Sequence, residues 1–552
     1  MKFLAGKKYL TTLICVLISG IVPVAIHAQD TSLSEQITVE RRLRVQFPEV
    51  NKIEVNVLEE EEEVSQPTLT YNVEPMLLEM PVFTTPIRPV PVRHDRQPLL
   101  YRNYAKLGFG NYGSIYGEFF YNTVRSKENL LAIHLKHFSG KGPVDFSNFR
   151  EDLLELYGKK NFKNHILSGN LIYSNNQNHF YGIGEGDTLD YDKKELRQVF
   201  NNFEFNTGFN NSKSDSENIH YELNGRYYFF KDRYDASENN LLFKALASDY
   251  FNGNLVSAYG AVEHNIFGFE QTGSQTMFKA GASYNISQPQ YFVRLGFHTA
   301  TPVDTGGNGA FGFFPDVEAE IKLADEHFIA FAGMRGDKEL NTFRGFAREN
   351  PFVVSGISLQ PTSSLLELFG GVKGSLTSRL SFYGRLGYQS IENLPYYLND
   401  SLNPKRFTVV YDSINTTLME GNIQVMYEIT DVWKLGLLAD LRNFSAGSES
   451  RPWYRPGTEV TFTTRYNLQN KIIFTGDVFV IGKRYAKNLA SEEITRLNGL
   501  IDLNAGINYR FSPVFTAFID FKNILGNRYE LFHPYPVRGF HLLAGLTVDF
   551  GR

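Results

Sequence analysis

From residue 104 to the end of the chain, apolar and polar residues alternate with a period of two. That is the spacing of a strand, whose successive side chains point to opposite faces. Ile501, Leu503, Ala505, Ile507, Tyr509 and Phe511 share one face, against Asp502, Asn504, Gly506, Asn508 and Arg510. Trp433, Leu435, Leu437, Ala439 and Leu441 likewise oppose Lys434, Gly436, Asp440 and Arg442. Val460, Phe462 and Tyr466 oppose Glu459, Thr461, Thr463 and Arg465, while Ile423, Val425, Tyr427 and Ile429 oppose Asn422, Gln424 and Glu428.

Periodicity alone fits either a soluble sandwich with its polar face outward or a membrane barrel with its apolar face outward. Length and spacing favour the barrel. The segments 193–210, 216–230, 414–429, 431–444 and 495–511 run to about 14 to 18 residues, against about 5 to 6 in ordinary sheets and about 9 to 11 for a tilted bilayer crossing. The polar gaps alternate in length. Short ones lie at 125–128, 160–164, 211–217, 252–254, 287–290, 324–326, 375–379, around Thr430, at 468–470 and at 511–513. Long ones between them include 140–149, 175–192, 300–313, 336–363, 392–413, 445–455, 485–494 and 527–537. With 405–412 taken as a loop excursion, this predicts an all-β fold: a transmembrane, antiparallel, up-and-down barrel of about 22 strands over 104–552. An even count puts both termini in the periplasm.

Composition agrees: 14 % of the 552 residues are aromatic, mostly Phe and Tyr, and 46 are Gly, a mixture that suits strands. The formal charge of -5 gives no electrostatic case for nucleic acid. Lys2, Lys7 and Lys8 precede an apolar run from Tyr9 to Ile26 that ends at Ala28, which reads as a secretory signal peptide over 1–28. The alternative, a membrane anchor, suits a short run interrupted by Pro23 less well. Cys15, the sole cysteine, lies inside this segment, so the mature chain is expected to have no disulfide and no thiolate chemistry.

Residues 29–103 differ from the rest. Five consecutive glutamates, Glu59 to Glu63, are followed by Pro67, Pro75, Pro81, Pro86, Pro89, Pro91 and Pro98. Such a run resists regular packing and predicts an irregular periplasmic or lumenal tail, with 81–98 extended along or inside the barrel.

The last strand carries Phe540, Leu542, Ala544, Leu546, Val548 and Phe550 on its lipid side. Gly545, Val548 and Phe550 resemble the C-terminal signal by which barrel assembly machinery takes up an outer-membrane strand, although Ala544 and the trailing Gly551-Arg552 depart from its pattern. Lys522-Asn523-Ile524-Leu525-Gly526-Asn527-Arg528-Tyr529 with Tyr535-Pro536-Val537-Arg538-Gly539-Phe540 resembles the end of a TonB-dependent receptor barrel, with Arg538-Gly539 where that family has Pro-Gly-Arg. The resemblance covers the barrel and implies the outer membrane of a Gram-negative bacterium. The family's plug domain of well over a hundred residues has no room in 29–103, so the chain is most similar to plug-less, receptor-like barrels of the Bacteroidetes type. Ile37-Thr38-Val39 faintly resembles the box that contacts the energy-transducing partner.

Chemical motifs are sparse. Gly307-Asn308-Gly309-Ala310-Phe311-Gly312 spells a dinucleotide fingerprint, but no helix follows it, and a flexible outer loop is expected instead. His134 and His137, three apart, fall on opposite faces of a strand and are not expected to share a metal. Outer-membrane barrels that are enzymes need a Ser/His or Asp/His constellation at the rim or wall. His298 near an outer rim is one candidate, but no local motif marks one, so the expectation is a non-enzyme without cofactor or metal. Arg385, Glu428, Asp440, Arg442, Glu459, Arg465, Asp502, Arg510 and Asp549 are the lumen-facing candidates, read as ion pairs that hold the wall or, alternatively, as a selectivity filter. Tyr396-Tyr397, Trp453-Tyr454 and Tyr227 to Phe230 are read as interfacial girdles. The functional expectation is a transport channel or porin-like protein for a solute, its tail gating the lumen. The alternative is a non-transporting scaffold or accessory subunit whose 29–103 tail contacts a periplasmic or lipoprotein partner. Outer-membrane lipid is the surrounding partner in both.

Overall fold

A computed structural model describes residues 103–550 apart from 124–127, 143, 183–193, 212–218, 270–271 and 325–326. The signal peptide, the tail as far as residue 102 and the Ile37-Thr38-Val39 box lie outside the described residues.

The long alternating segments form a single 22-stranded antiparallel sheet. Each strand pairs with the next along the ring. The ring closes where Asn103–Gly110 pairs with both Ser114–Asn122 and the last strand, His541–Phe550. The seam has a steric requirement. Gly108 stands opposite Gly545, and a Cβ on Gly545 would fall 1.9 Å from the Leu107 carbonyl oxygen. The closed ring therefore pairs the C-terminal strand on both sides, leaving it no open edge.

Polarity across the wall is that of a membrane barrel. Leu386 is 74 % exposed, Phe109 67 % and Leu107 60 %, and they belong to an apolar outer belt that also includes Leu135, Leu171, Phe203, Leu241, Leu437 and Leu546. A soluble sandwich would bury these side chains. Among the described residues no helix is long and apolar enough to cross a membrane.

Among the described residues the turns at the terminus end are tight. Asn252 and Gly253 connect Ser237–Phe251 to Asn254–Gly268 with φ of 51° and 79°, the left-handed pair that a two-residue hairpin requires. At the other end the expected long gaps recur, at 141–148, 180–196, 305–311, 340–361, 393–415, 446–457, 482–499 and 523–540. The connections 111–113, 233–236 and 269–271 at that end are short, which corrects the strict short–long alternation. Segment 495–511 is also divided. Its first part, Ile494–Leu497, pairs with Arg484–Lys487 in a hairpin outside the ring, and only Leu500–Arg510 enters the wall. Phe407–Tyr411, within the expected excursion 405–412, pairs with Pro395–Asn399 in another such hairpin.

Candidate functional site

The period-two pattern fixes which side chains enter the lumen, and cross-strand register then brings them together. Glu420 lies opposite Arg442, Asn422 lies opposite both Arg385 and Asp440, and Asp440 lies opposite Glu459. Arg385 binds both Glu367 and Glu420, and Arg335 Nε donates to Glu367 Oε2 at 2.6 Å. Arg442 Nη1 donates to Glu459 Oε2 at 2.7 Å, and Asn422 Nδ2 donates to Asp440 Oδ1 at 2.6 Å. Arg385, Asp440, Arg442 and Glu459 thus meet in one belt, to which Arg335, Glu367 and Glu420 also belong. Glu428 pairs separately with Lys434, whose register partner is Arg465. Asp502 accepts from the Tyr529 hydroxyl at 2.6 Å. Arg510 and Asp549 lie at or next to the ends of their strands, away from the belt.

Beside the belt is a recess of about 310 Å³ lined by Arg335, Arg385, Lys373, Phe331, Phe369 and Tyr383, among others. Phe331 and Tyr383 stack at 5.5 Å, and the Arg385 guanidinium lies 4.8 Å from the Phe369 ring centre. Glu318 also lines the recess, and its cations are paired, Arg335 and Arg385 with Glu367 and Lys373 with Glu320, so charge in the recess is mixed.

The end opposite the termini is closed by its own loops. Phe180, in the loop after the fifth strand, lies 6.4 Å from Phe352, in the loop after the thirteenth. Phe352 stacks on Tyr535, from the loop before the last strand, at 3.5 Å and 4°. Phe407 meets Tyr454 at 5.6 Å and Phe532 at 5.5 Å. Loops rooted so far apart on the ring touch only if they cross the mouth. The result is one apolar cluster that includes Tyr396, Tyr397, Trp453, Tyr228 and Phe230, all buried. These aromatics are therefore not girdle residues, which is a correction to the sequence reading. Of that set Tyr227 and Phe229 face outward, as alternation along the strand requires.

Loop 340–361 is bonded directly to the wall. Its helix, Phe343–Glu349, starts at Thr342, whose side chain accepts from the Gly345 amide. Glu238 on the wall accepts from the amides of Phe343 and Arg344 at 3.1 and 2.8 Å. Arg344 lays its guanidinium 3.4 Å from the Tyr228 ring centre and binds Asn202 and Glu204. Behind it, Asn265 donates to Glu238 and Arg226 to Glu263, so the anchor continues into the wall. A second staple joins two loops. Asp412 accepts from the Ser448 amide, the Gly447 amide and the Thr416 hydroxyl at 2.6, 2.8 and 2.6 Å. Burial on its own would raise the Asp412 pKa, but the bonds from Ser448 and Thr416 outweigh it and hold the carboxyl down at about 2. The buried Tyr397 phenol, pushed up by desolvation and then by Glu349, stays neutral and donates to that carboxylate at 3.0 Å.

Sequence reasoning missed Arg344, Glu238 and Asp412. One signal was available: Phe343, Phe346, Phe352, Val353 and Val354 make the 336–363 gap too apolar for a solvated loop. The dinucleotide-like stretch is a loop, 305–311, turned by Asp304 accepting from the Gly306 and Asn308 amides. His134 faces inward to Glu118 at 3.0 Å, and His298 shares Asp337 with Lys279.

No family profile and no curated protein matches the chain. Solved structures do. The ferric-catecholate import receptor Fiu of E. coli K12 superposes with a TM-score of 0.63 at 13 % identity, over 82 % of each chain. The FrpB iron transporter of Neisseria meningitidis gives 0.65 at 8 %, and the copper transporter OprC gives 0.62 at 12 %, again over 82 % of each chain. Likeness at that identity is one of fold, and in fold the chain is a 22-stranded barrel similar to those of the TonB-dependent receptors.

Proposed function

We propose that this chain is an outer-membrane transport barrel of the plug-less, receptor-like Bacteroidetes type, which passes a solute through a lumen whose outer mouth its own loops hold shut. The observation that carries the reading is the combination of a polar, charged inner wall with an ordered cap built across it. A barrel that served only as an anchor has use for neither. The neighbours named above are an import receptor and two metal transporters, which supports transport over catalysis for the lumen. On this reading the signal over 1–28 is removed, both termini are periplasmic, and the 29–103 segment takes the place of a plug. Gly545, Val548 and Phe550 present the last strand to the assembly machinery. The recess at Arg335, Arg385 and Phe369 is the candidate contact for the solute.

Planar-bilayer recording of the full-length protein tests this. The intact chain should show no steady conductance. A variant lacking 343–357 should show large steps, and removal of 29–98 as well should enlarge them. A folded double-deletion barrel that stays silent would overturn the reading.

A further inference from the structure

The outer face of the wall carries a constellation that a transport lumen does not use. In strand Asn129–Gly140 the side chains of Leu131 and Leu135 are exposed on the outside, and His137 and Ser139 continue the same face. On the neighbouring strand Phe149–Asn161, Asp152 lies opposite His137 and Arg150 opposite Ser139. Ser139 Oγ is 2.9 Å from His137 Nε2, and His137 Nδ1 is 2.6 Å from Asp152 Oδ1. Arg150 Nε donates to the other carboxylate oxygen, Asp152 Oδ2, at 2.6 Å.

These contacts favour one proton arrangement. A carboxylate held by a guanidinium accepts, which places the hydrogen on Nδ1 of His137; in the neutral imidazole Nε2 then accepts from the Ser139 hydroxyl. Nucleophile, base and orienting acid stand in the order that activates a serine, an order recognised by geometry and not by position in sequence.

The surroundings select the substrate. His137 is 40 % exposed, and Gly117 stands opposite it on the next strand, with only Leu107 Cδ2 near the place a Cβ would occupy. Exposed Ile115 lies opposite Ser139, and exposed Phe109 beyond it. Across the other side, Asn175 and Gln177 are the register partners of Asp152 and Arg150, and Asn201 follows Asn175. The site therefore lies where the apolar belt gives way to polar side chains, at the end of the strands away from the termini. In a bilayer that is the level of the ester bonds between headgroup and acyl chain.

We propose that Ser139, His137 and Asp152 form a hydrolytic site on the outside of the barrel that cleaves an acyl ester of a membrane glycerophospholipid. Ser139 Oγ bonds to the ester carbonyl carbon and passes its proton to His137 Nε2. Arg150 supplies positive charge beside the tetrahedral oxygen. The ester C–O bond breaks, and His137 returns the proton to the departing lysophospholipid oxygen. Water then attacks the acyl-serine with His137 taking its proton, the acyl C–O bond to Ser139 breaks, and that proton restores the hydroxyl as free fatty acid leaves. The inference is independent of what passes through the lumen.

The test uses full-length protein folded in detergent, with phosphatidylethanolamine in mixed micelles as the probe and a fluorophosphonate as the label. Wild type should release fatty acid and carry the label on Ser139. Ser139→Ala and His137→Ala should each reduce release roughly 100-fold or more. Asp152→Asn, which changes a positioning residue, should lower kcat with little change in KM, and Asp152→Glu should recover part of it. Ser381→Ala, on another strand, should match wild type. Release that survives in Ser139→Ala, or a folded wild-type barrel that neither labels nor releases fatty acid, overturns the proposal.

Discussion

The guanidinium of Arg344 is buried between the Tyr228 ring and the Asn202 and Glu204 side chains. Truncation to Ala would leave the Glu204 carboxylate without that guanidinium, and losing one partner of such a pair costs about 3 to 5 kcal/mol. Arg344→Ala is therefore expected to free loop 340–361, read as faster trypsin cleavage within it; unchanged resistance would sink the assignment of Arg344 as the main anchor. Asp412 gives a pH prediction. Its folded pKa, about 2, lies below the ordinary carboxyl value of 3.8, so its stabilisation is complete above about pH 4 and is lost as pH falls through about 2. Trp453, buried in the same loop cluster, reports the change once Trp433 is replaced by Phe. Its emission should hold steady from pH 7 to 4 and shift on further acidification, and a transition near neutrality would refute the staple. Arg385, Asp440, Arg442 and Glu459 were legible in the sequence because alternation assigns a face. Arg344 and Asp412 were not, because a loop residue's partner is set by where distant loops meet.

Strands and their turns were the most legible elements, since each spans the wall and is bounded by polar gaps. The exceptions have specific causes. Segment 495–511 reads as one strand because Ile494–Leu497 has strand chemistry of its own, yet it pairs with Arg484–Lys487. The connections 111–113, 233–236 and 269–271 leave no mark as long outer gaps because they span only three or four residues. The closing seam depends on glycine at two facing positions. A side chain at 545 would press on the backbone around Leu107 and Gly108, so Gly545→Val should prevent closure. The expected result is loss of the heat-modifiable band on cold gel electrophoresis, with Val548→Ile as a folding-competent comparison. A Gly545→Val barrel that migrates like wild type would show that the seam can widen.

For the whole molecule, the reversed polarity of the wall predicts a response opposite to that of a soluble protein. Leu386, at the middle of strand Leu380–Glu392, is 74 % exposed, a position where arginine would be nearly neutral in water. In a bilayer, Leu386→Arg should cost about 2 to 4 kcal/mol, measurable as a lower urea midpoint in phospholipid vesicles; an unchanged midpoint would contradict the membrane placement of the belt. The sequence by itself determined the all-β class and the faces of the wall, because strand geometry ties side-chain direction to parity over many consecutive residues. Only the tertiary structure decided that the mouth is closed, that Tyr396, Tyr397, Trp453 and Tyr454 serve the cap, and that His137, Ser139 and Asp152 meet on the outer face. Those contacts join residues from different loops or strands, and their existence depends on register and ring closure, which no local pattern encodes.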